Sequence, residues 1–165
     1  MKKFFLFRAF PVISSCFFVL LINTIAPPQG YSYLCPSVAI VCVIFWSMRK
    51  DHFFSSIDVF IFGFLNDLIF GTPLGSSSIL FLSTMYFTIF LNNRIKFYIN
   101  FLNLTVIVAS NFFYFILTYI FIIVYYQSYP IMSYYILYFL LTLFIYPIIY
   151  IILNKIINYK KLNEL

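Results

Sequence analysis

Acidic residues are the scarcest feature of this sequence: four Asp and Glu stand among 165 residues, against ten Lys and Arg, one His and four Gly. So few carboxylates leave little from which to build a reaction centre. No paired carboxylates, H-E-x-x-H, G-x-S-x-G or phosphate-binding glycine loop occur. His52 stands alone in a loop beside Asp51 and reads as a solvated loop residue, not a metal ligand or a base. Cys16, Cys35 and Cys42 are odd in number, lie in apolar stretches and lack C-x-x-C or Cys/His spacing, so they read as packing residues. The expectation is a chain without catalytic residues, metal or cofactor.

Charged side chains make up only 8% of the chain, where a soluble domain carries about 25%. What is there in their place is 64% hydrophobic residues, 24% aromatic residues and a mean hydropathy of +1.04. That composition is one of an integral membrane protein in a single domain spanning 1–165. Net charge is +6, but the cations fall in short groups between apolar runs and form no basic stripe, so nucleic acid is not the expected partner.

Uncharged runs cover 9–48, 68–93 and 97–154. About 20 apolar residues cross a bilayer core, so the first and last runs each hold two crossings. Pro27-Pro28-Gln29-Gly30 divides the first, because proline lacks an N–H and disfavours helix before it. Gln127-Ser128-Tyr129-Pro130 divides the last. The fold class is then all-α, a polytopic bundle with helices near 9–26, 33–48, 55–70, 75–92, 100–126 and 131–153. Six crossings put Lys2, Lys3, Arg8, Arg49, Lys50, Arg94, Lys96, Lys155, Lys160 and Lys161 on one face. By the positive-inside rule that face, with both termini, is cytoplasmic. Lys2-Lys3 before an apolar run also has the look of a signal peptide; without a small-residue cleavage site, the expectation is an uncleaved first helix.

Against this background the stretch Asn66-Asp67-Leu68-Ile69-Phe70-Gly71-Thr72-Pro73-Leu74-Gly75-Ser76-Ser77-Ser78 needs a reason. Glu164 is in the tail, Asp51 in the basic loop, and Asp58 near the start of the third helix, within reach of the interface. Asp67 alone falls inside a span, where an ionised group costs at least ~2.5–3.5 kcal/mol on insertion scales. Its neighbours supply partners. Gly71 to Gly75, with Pro73 between them, form a tight outer turn, and Ser76 opens the fourth helix, whose first N–H groups lack intrahelical acceptors. A carboxylate there accepts from those groups and suits the positive helix end. The expected role of Asp67 is therefore to staple helices three and four, with a proton- or ion-binding carboxylate as the functional alternative. Pro73 also rules out reading Gly71-x-x-x-Gly75 as a helix-dimer motif.

At 100° per residue, Asn103, Ser110, Asn111, Tyr114, Thr118 and Tyr125 fall within about 100° on the fifth helix. Tyr135, Tyr138, Thr142, Tyr146 and Tyr150 share a similar stripe on the sixth, where Pro147 deprives the Leu143 carbonyl of its donor. These faces point inward, hydrogen-bonding the last two helices together, or toward the helix of another protein.

Pro36, the run Phe45-Trp46-Ser47-Met48-Arg49-Lys50, and then Gly63, Asp67, Leu68, Gly71, Leu74 and Gly75 make an order that resembles the rod shape-determining protein MreD family. There, a second helix opening with Pro and closing on an aromatic-Trp pair before a basic loop precedes a pattern like G-L-x-x-D-L-x-x-G-x-x-L-G. Asn66 before the acid departs from that pattern. The likeness covers 36–91 and beyond it extends only to size and hydropathy. The resemblance implies a bacterial inner-membrane scaffold of the cell-elongation machinery that builds lateral peptidoglycan. Implied partners are a bitopic MreC-like protein, an MreB-like cytoskeleton, and the wall glycosyltransferase and transpeptidase, within the lipid bilayer. It implies no catalytic residue. Such proteins also resemble the six-helix substrate-binding components of energy-coupling-factor transporters, so the rival expectation is a vitamin-type solute-binding subunit.

Overall fold

The computed structural model describes residues 11–20, 37–49, 54–94, 101–127 and 129–162. They form α1 (Pro11–Leu20), α2 (Val38–Ser47), α3 (Ser56–Phe70), α4 (Ser76–Arg94), α5 (Phe101–Tyr126) and α6 (Met132–Leu162), with no strand among them. All-helical architecture follows from the composition: long apolar runs without alternation satisfy their backbone groups internally only as helices. Among the described residues two helices are long and apolar enough to cross a membrane, Leu104–Tyr126 and Met132–Ile157. Most of each stretch is unburied among the described residues: 33% and 22% of the most apolar 18-residue window of each is enclosed.

At the centre lies α2. All ten of its residues are buried, and it packs against α4, α5 and α6. A helix apolar on every side has no face to offer water and is stable only when enclosed. Val19 of α1 joins the same core, and Ser15 of α1 faces the Cys42 thiol. The Ser37 backbone N–H at the start of α2 donates to Thr142 Oγ1 of α6 over 3.2 Å. At its other end Met48 presents its carbonyl to Asn92 Nδ2 of α4 at 3.5 Å, and the Arg49 guanidinium donates to Asn154 Oδ1 of α6 while lying 5.0 Å over the Phe45 ring. The C-terminal ends of α2, α4 and α6 therefore meet at one end of the bundle, the end that carries Arg49, Arg94 and Lys155.

Among the described residues the third helix packs mainly on α4, through a face of Val59, Phe62, Gly63, Asn66 and Asp67. Its opposite face is bare and apolar: Ile57, Phe60, Ile61 and Leu68 are 64%, 49%, 46% and 57% exposed. A ladder of rings, Phe54, Phe62, Phe81, Tyr114 and Phe115, runs from before α3 across α4 into α5, with successive centroids 5.7–6.3 Å apart.

The sequence expectations meet two differences here. The sixth helix does not stop at 153 but continues to Leu162. Lys155 ends the apolar span, not the helix, since a helix hydrogen-bonds itself equally well in water. The second helix is seen only from Val38; the expected residues 33–36, with Pro36 and Cys35, lie outside the described residues, as do Lys2, Lys3, Arg8, 21–30, Lys50, Asp51, His52, Lys96, Ser128 and Glu164.

Candidate functional site

Asp67 is fully buried, one turn before the end of α3. The helix closes on Gly71, whose φ of 66° is left-handed and whose N–H returns to the Asp67 carbonyl. Glycine reaches this conformation without the Cβ penalty other residues meet. The Thr72 N–H donates to the same carbonyl at 3.2 Å, and after Pro73 the chain turns again at Gly75, φ 90°, to enter α4. Pro73 serves the turn twice, by fixing its own φ and by offering its carbonyl to the Ser76 N–H at 3.0 Å.

That double turn folds the start of α4 over the Asp67 carboxylate. Oδ1 accepts from Thr72 Oγ1 (2.7 Å), Ser76 Oγ (3.2 Å) and the Ser77 N–H (3.0 Å). Oδ2 accepts from the Gly75 N–H (2.7 Å), with the Ser77 N–H shared at 3.3 Å. Four donors thus meet a group that offers about four lone-pair sites. Two of them are N–H groups at the head of α4 that have no intrahelical acceptor, so the carboxylate caps α4 from the side chain of another helix. Its negative charge also sits at the positive end of the α4 dipole. Little accepting capacity remains for a substrate.

Gly63 and Asn66 set how closely the two helices meet. A Cβ on Gly63 would stand 2.5 Å from the Ser78 Cα and 2.6 Å from its nitrogen, so only glycine allows this approach. Ser78 uses it to donate its hydroxyl to the Phe60 carbonyl at 2.9 Å. Asn66 Nδ2 donates to Ser77 Oγ at 3.0 Å, while its Oδ1 is buried without a partner. Gly63, Asn66, Asp67, Gly71, Pro73, Gly75 and Ser76 are therefore parts of one hairpin.

The remaining candidates lie on α5. Ser110, Asn111 and Tyr114 are buried and Thr118 is half-buried, its hydroxyl bonded to the Tyr114 carbonyl at 2.8 Å. Tyr114 connects this face to the hairpin: its ring packs 6.1 Å from Phe81, and its hydroxyl turns to Ser37 and Thr118 within electrostatic reach of Asp67. Tyr125, expected on the same face, is 57% exposed among the described residues; the Asn103 side chain lies outside those described. On α6 the stripe is shared between two neighbours. Tyr135 donates to the Phe115 carbonyl of α5 at 2.6 Å, whereas Thr142 and Tyr146 face α2, Tyr146 reaching the Met48 sulfur at 3.9 Å.

Sequence reasoning missed one device, although its signal was present. Ser55-Ser56-Ile57-Asp58 is a capping box: Asp58 Oδ2 accepts from the Ser55 N–H at 2.9 Å, and Ser55 Oγ from the Asp58 N–H at 3.4 Å. Asp58 thus fixes the entry into α3 as Asp67 fixes its exit. Among the described residues no three His, Cys, Asp or Glu side chains gather. No protein-family description, curated protein or solved structure matches the chain.

Proposed function

We propose that this chain is a multi-pass protein of the bacterial inner membrane, six helices with both termini inside, and a non-enzymatic scaffold of the cell-elongation machinery. In this reading it holds the helix of a bitopic MreC-like protein and so helps to localise lateral wall synthesis. The observation that carries the reading is the Asp67 carboxylate, whose lone pairs are taken up by donors of its own hairpin. Such an acid builds a rigid shape and not a reaction centre. Further support comes from the gathering of Arg49, Arg94 and Lys155 at one end of the bundle, and from the bare apolar faces of α3 and α6. Helices associate in lipid by close packing and by hydrogen bonds worth ~0.6–2 kcal/mol each, so a docking surface must use several contacts together.

Affinity purification from a rod-shaped bacterium, with depletion followed by microscopy, tests the reading. Retention of the MreC-like protein and rounding of depleted cells are the expected results. Cells that stay rods after depletion overturn it.

A second reading, a solute-binding membrane subunit, draws on Ser110 Oγ and Asn111 Oδ1, buried beside Tyr114 without partners. A buried polar atom left unpaired costs about 1–3 kcal/mol, which a bound polar solute would relieve. Mass spectrometry of the purified protein distinguishes the two, since a stoichiometric small molecule released on denaturation favours the second.

A further inference from the structure

The outward-facing helices differ in height. The apolar stretches of α5 and α6 run for 23 and 26 residues, about 35 and 39 Å, and can fit a hydrocarbon core of about 30 Å by tilting. The 15 residues of α3 reach only about 22 Å, and no tilt lengthens them. Nor is α3 enclosed as α2 is, since Ile57, Phe60, Ile61, Phe64 and Leu68 are exposed among the described residues.

Both ends of that apolar face are polar. At the outer end α3 gives way to the turn from Gly71 to Gly75, irregular backbone that hydrocarbon does not tolerate. At the inner end the register of the hairpin fixes the level. Gly63 lies against Ser78, so Ser56, seven residues before Gly63, comes level with the α4 residues seven beyond Ser78. There its hydroxyl meets that of Tyr86 at 2.8 Å, in an exposed setting. Ser55 and the half-buried Asp58 form their capping box beside it. Tyr86 stands eight residues, about 12 Å, short of Arg94 at the end of α4. Arg94 itself lays its guanidinium over the Phe90 ring, 5.4 Å from the centroid, one turn back toward this level. A long cationic side chain keeps its charged head in the polar layer, so its direction shows on which side that layer lies.

We propose that the bilayer thins against α3, and that the lipids bordering this face are phospholipids with short acyl chains. Water and headgroups then come down to Ser55, Ser56, Asp58 and Tyr86, groups that hydrocarbon would leave unsolvated. A transmembrane helix of ordinary length seated here would cover those same groups with apolar side chains. A helix too short for the core is accommodated by thinning the bilayer around it, whereas α5 and α6 hold the full thickness on their side. The inference rests on the multi-pass placement proposed above and not on the scaffold role, for which the bare face of α6 remains.

Tryptophan quenching by brominated lipid tests it, on the full-length chain in mixed vesicles of dimyristoleoyl- and dieicosenoyl-phosphatidylcholine with one lipid or the other brominated. Ile61→Trp reports on the α3 face and Phe144→Trp on α6, while the buried Trp46 gives the same background in both. Both replaced side chains are exposed, and Phe60→Trp repeats the α3 measurement where Ile61→Trp folds poorly. The preference for the short-chain lipid is expected to be at least about two-fold greater at Ile61 than at Phe144, because the cost of mismatch grows with each Å. Equal preference at the two positions overturns the inference. So does quenching by neither lipid at Ile61 and Phe60 with Phe144→Trp quenched, which means that protein covers α3. Quenching at neither helix overturns the multi-pass reading, and the inference with it.

Discussion

Replacing Asp67 separates hydrogen bonding from charge. Asp67→Ala leaves the Gly75 and Ser77 N–H groups buried at the head of α4 without an acceptor. Each orphaned donor costs about 1–3 kcal/mol, while the Thr72 and Ser76 hydroxyls can rotate to other acceptors, so the expected loss is about 4 kcal/mol. Asp67→Asn keeps one carbonyl oxygen for the two N–H groups, and its NH2 can donate to the hydroxyls in reverse. What it loses is charge assistance and the interaction with the helix dipole, together about 1–2 kcal/mol. Reversible unfolding of the purified protein in mixed micelles, titrated with a denaturing detergent, measures both. The ordering wild type, Asn, Ala with a clear gap at each step is the expected outcome. An alanine variant within ~0.5 kcal/mol of wild type refutes the capping argument, since a residue change away from such features costs no more than that. An asparagine variant as unstable as alanine refutes it differently, by making charge and not donor satisfaction the source of the stability.

Other perturbations address neighbouring parts of the hairpin and the topology. Gly63→Ala drives a methyl into the Ser78 backbone and should destabilise the same unfolding transition by about 1–3 kcal/mol, as overpacking does; a neutral result means that α3 and α4 are not in contact there. Ser55→Ala removes one half of the capping box and should cost about 0.5–2 kcal/mol, with little added by a further Asp58→Ala because the two act as a unit. Reporter fusions at Gln29, Thr72 and Ser128 should all read as external, and an internal signal at Ser128 contradicts six crossings.

The hairpin was legible in the sequence because it is the one place where scarce chemistry is concentrated. A single acid, two glycines, a proline and three serines within thirteen residues admit few arrangements, and the start and end of α3 fall within a residue of expectation. Much less legible was which faces of the other helices turn inward. Where apolar residues dominate throughout, hydropathy does not distinguish core from surface, so the complete burial of α2, apolar in all but its last residue, left no mark in its pattern. Small and polar residues carried the signal instead: Ser110, Asn111 and Thr142 all proved inward, whereas tyrosine, at home in either setting, did not discriminate, as Tyr146 and Tyr125 show. The end of α6 was misjudged because charge marks where a span stops and not where a helix does.

Hydrogen–deuterium exchange across residues 71–78, in lipid nanodiscs, tests most directly the claim that one buried acid holds this turn. Slow exchange of the Gly75 and Ser77 amides in wild type, lost in Asp67→Ala while α5 and α6 stay protected, is the result the account expects. Amides that exchange quickly in wild type, or equally in both proteins, would contradict it.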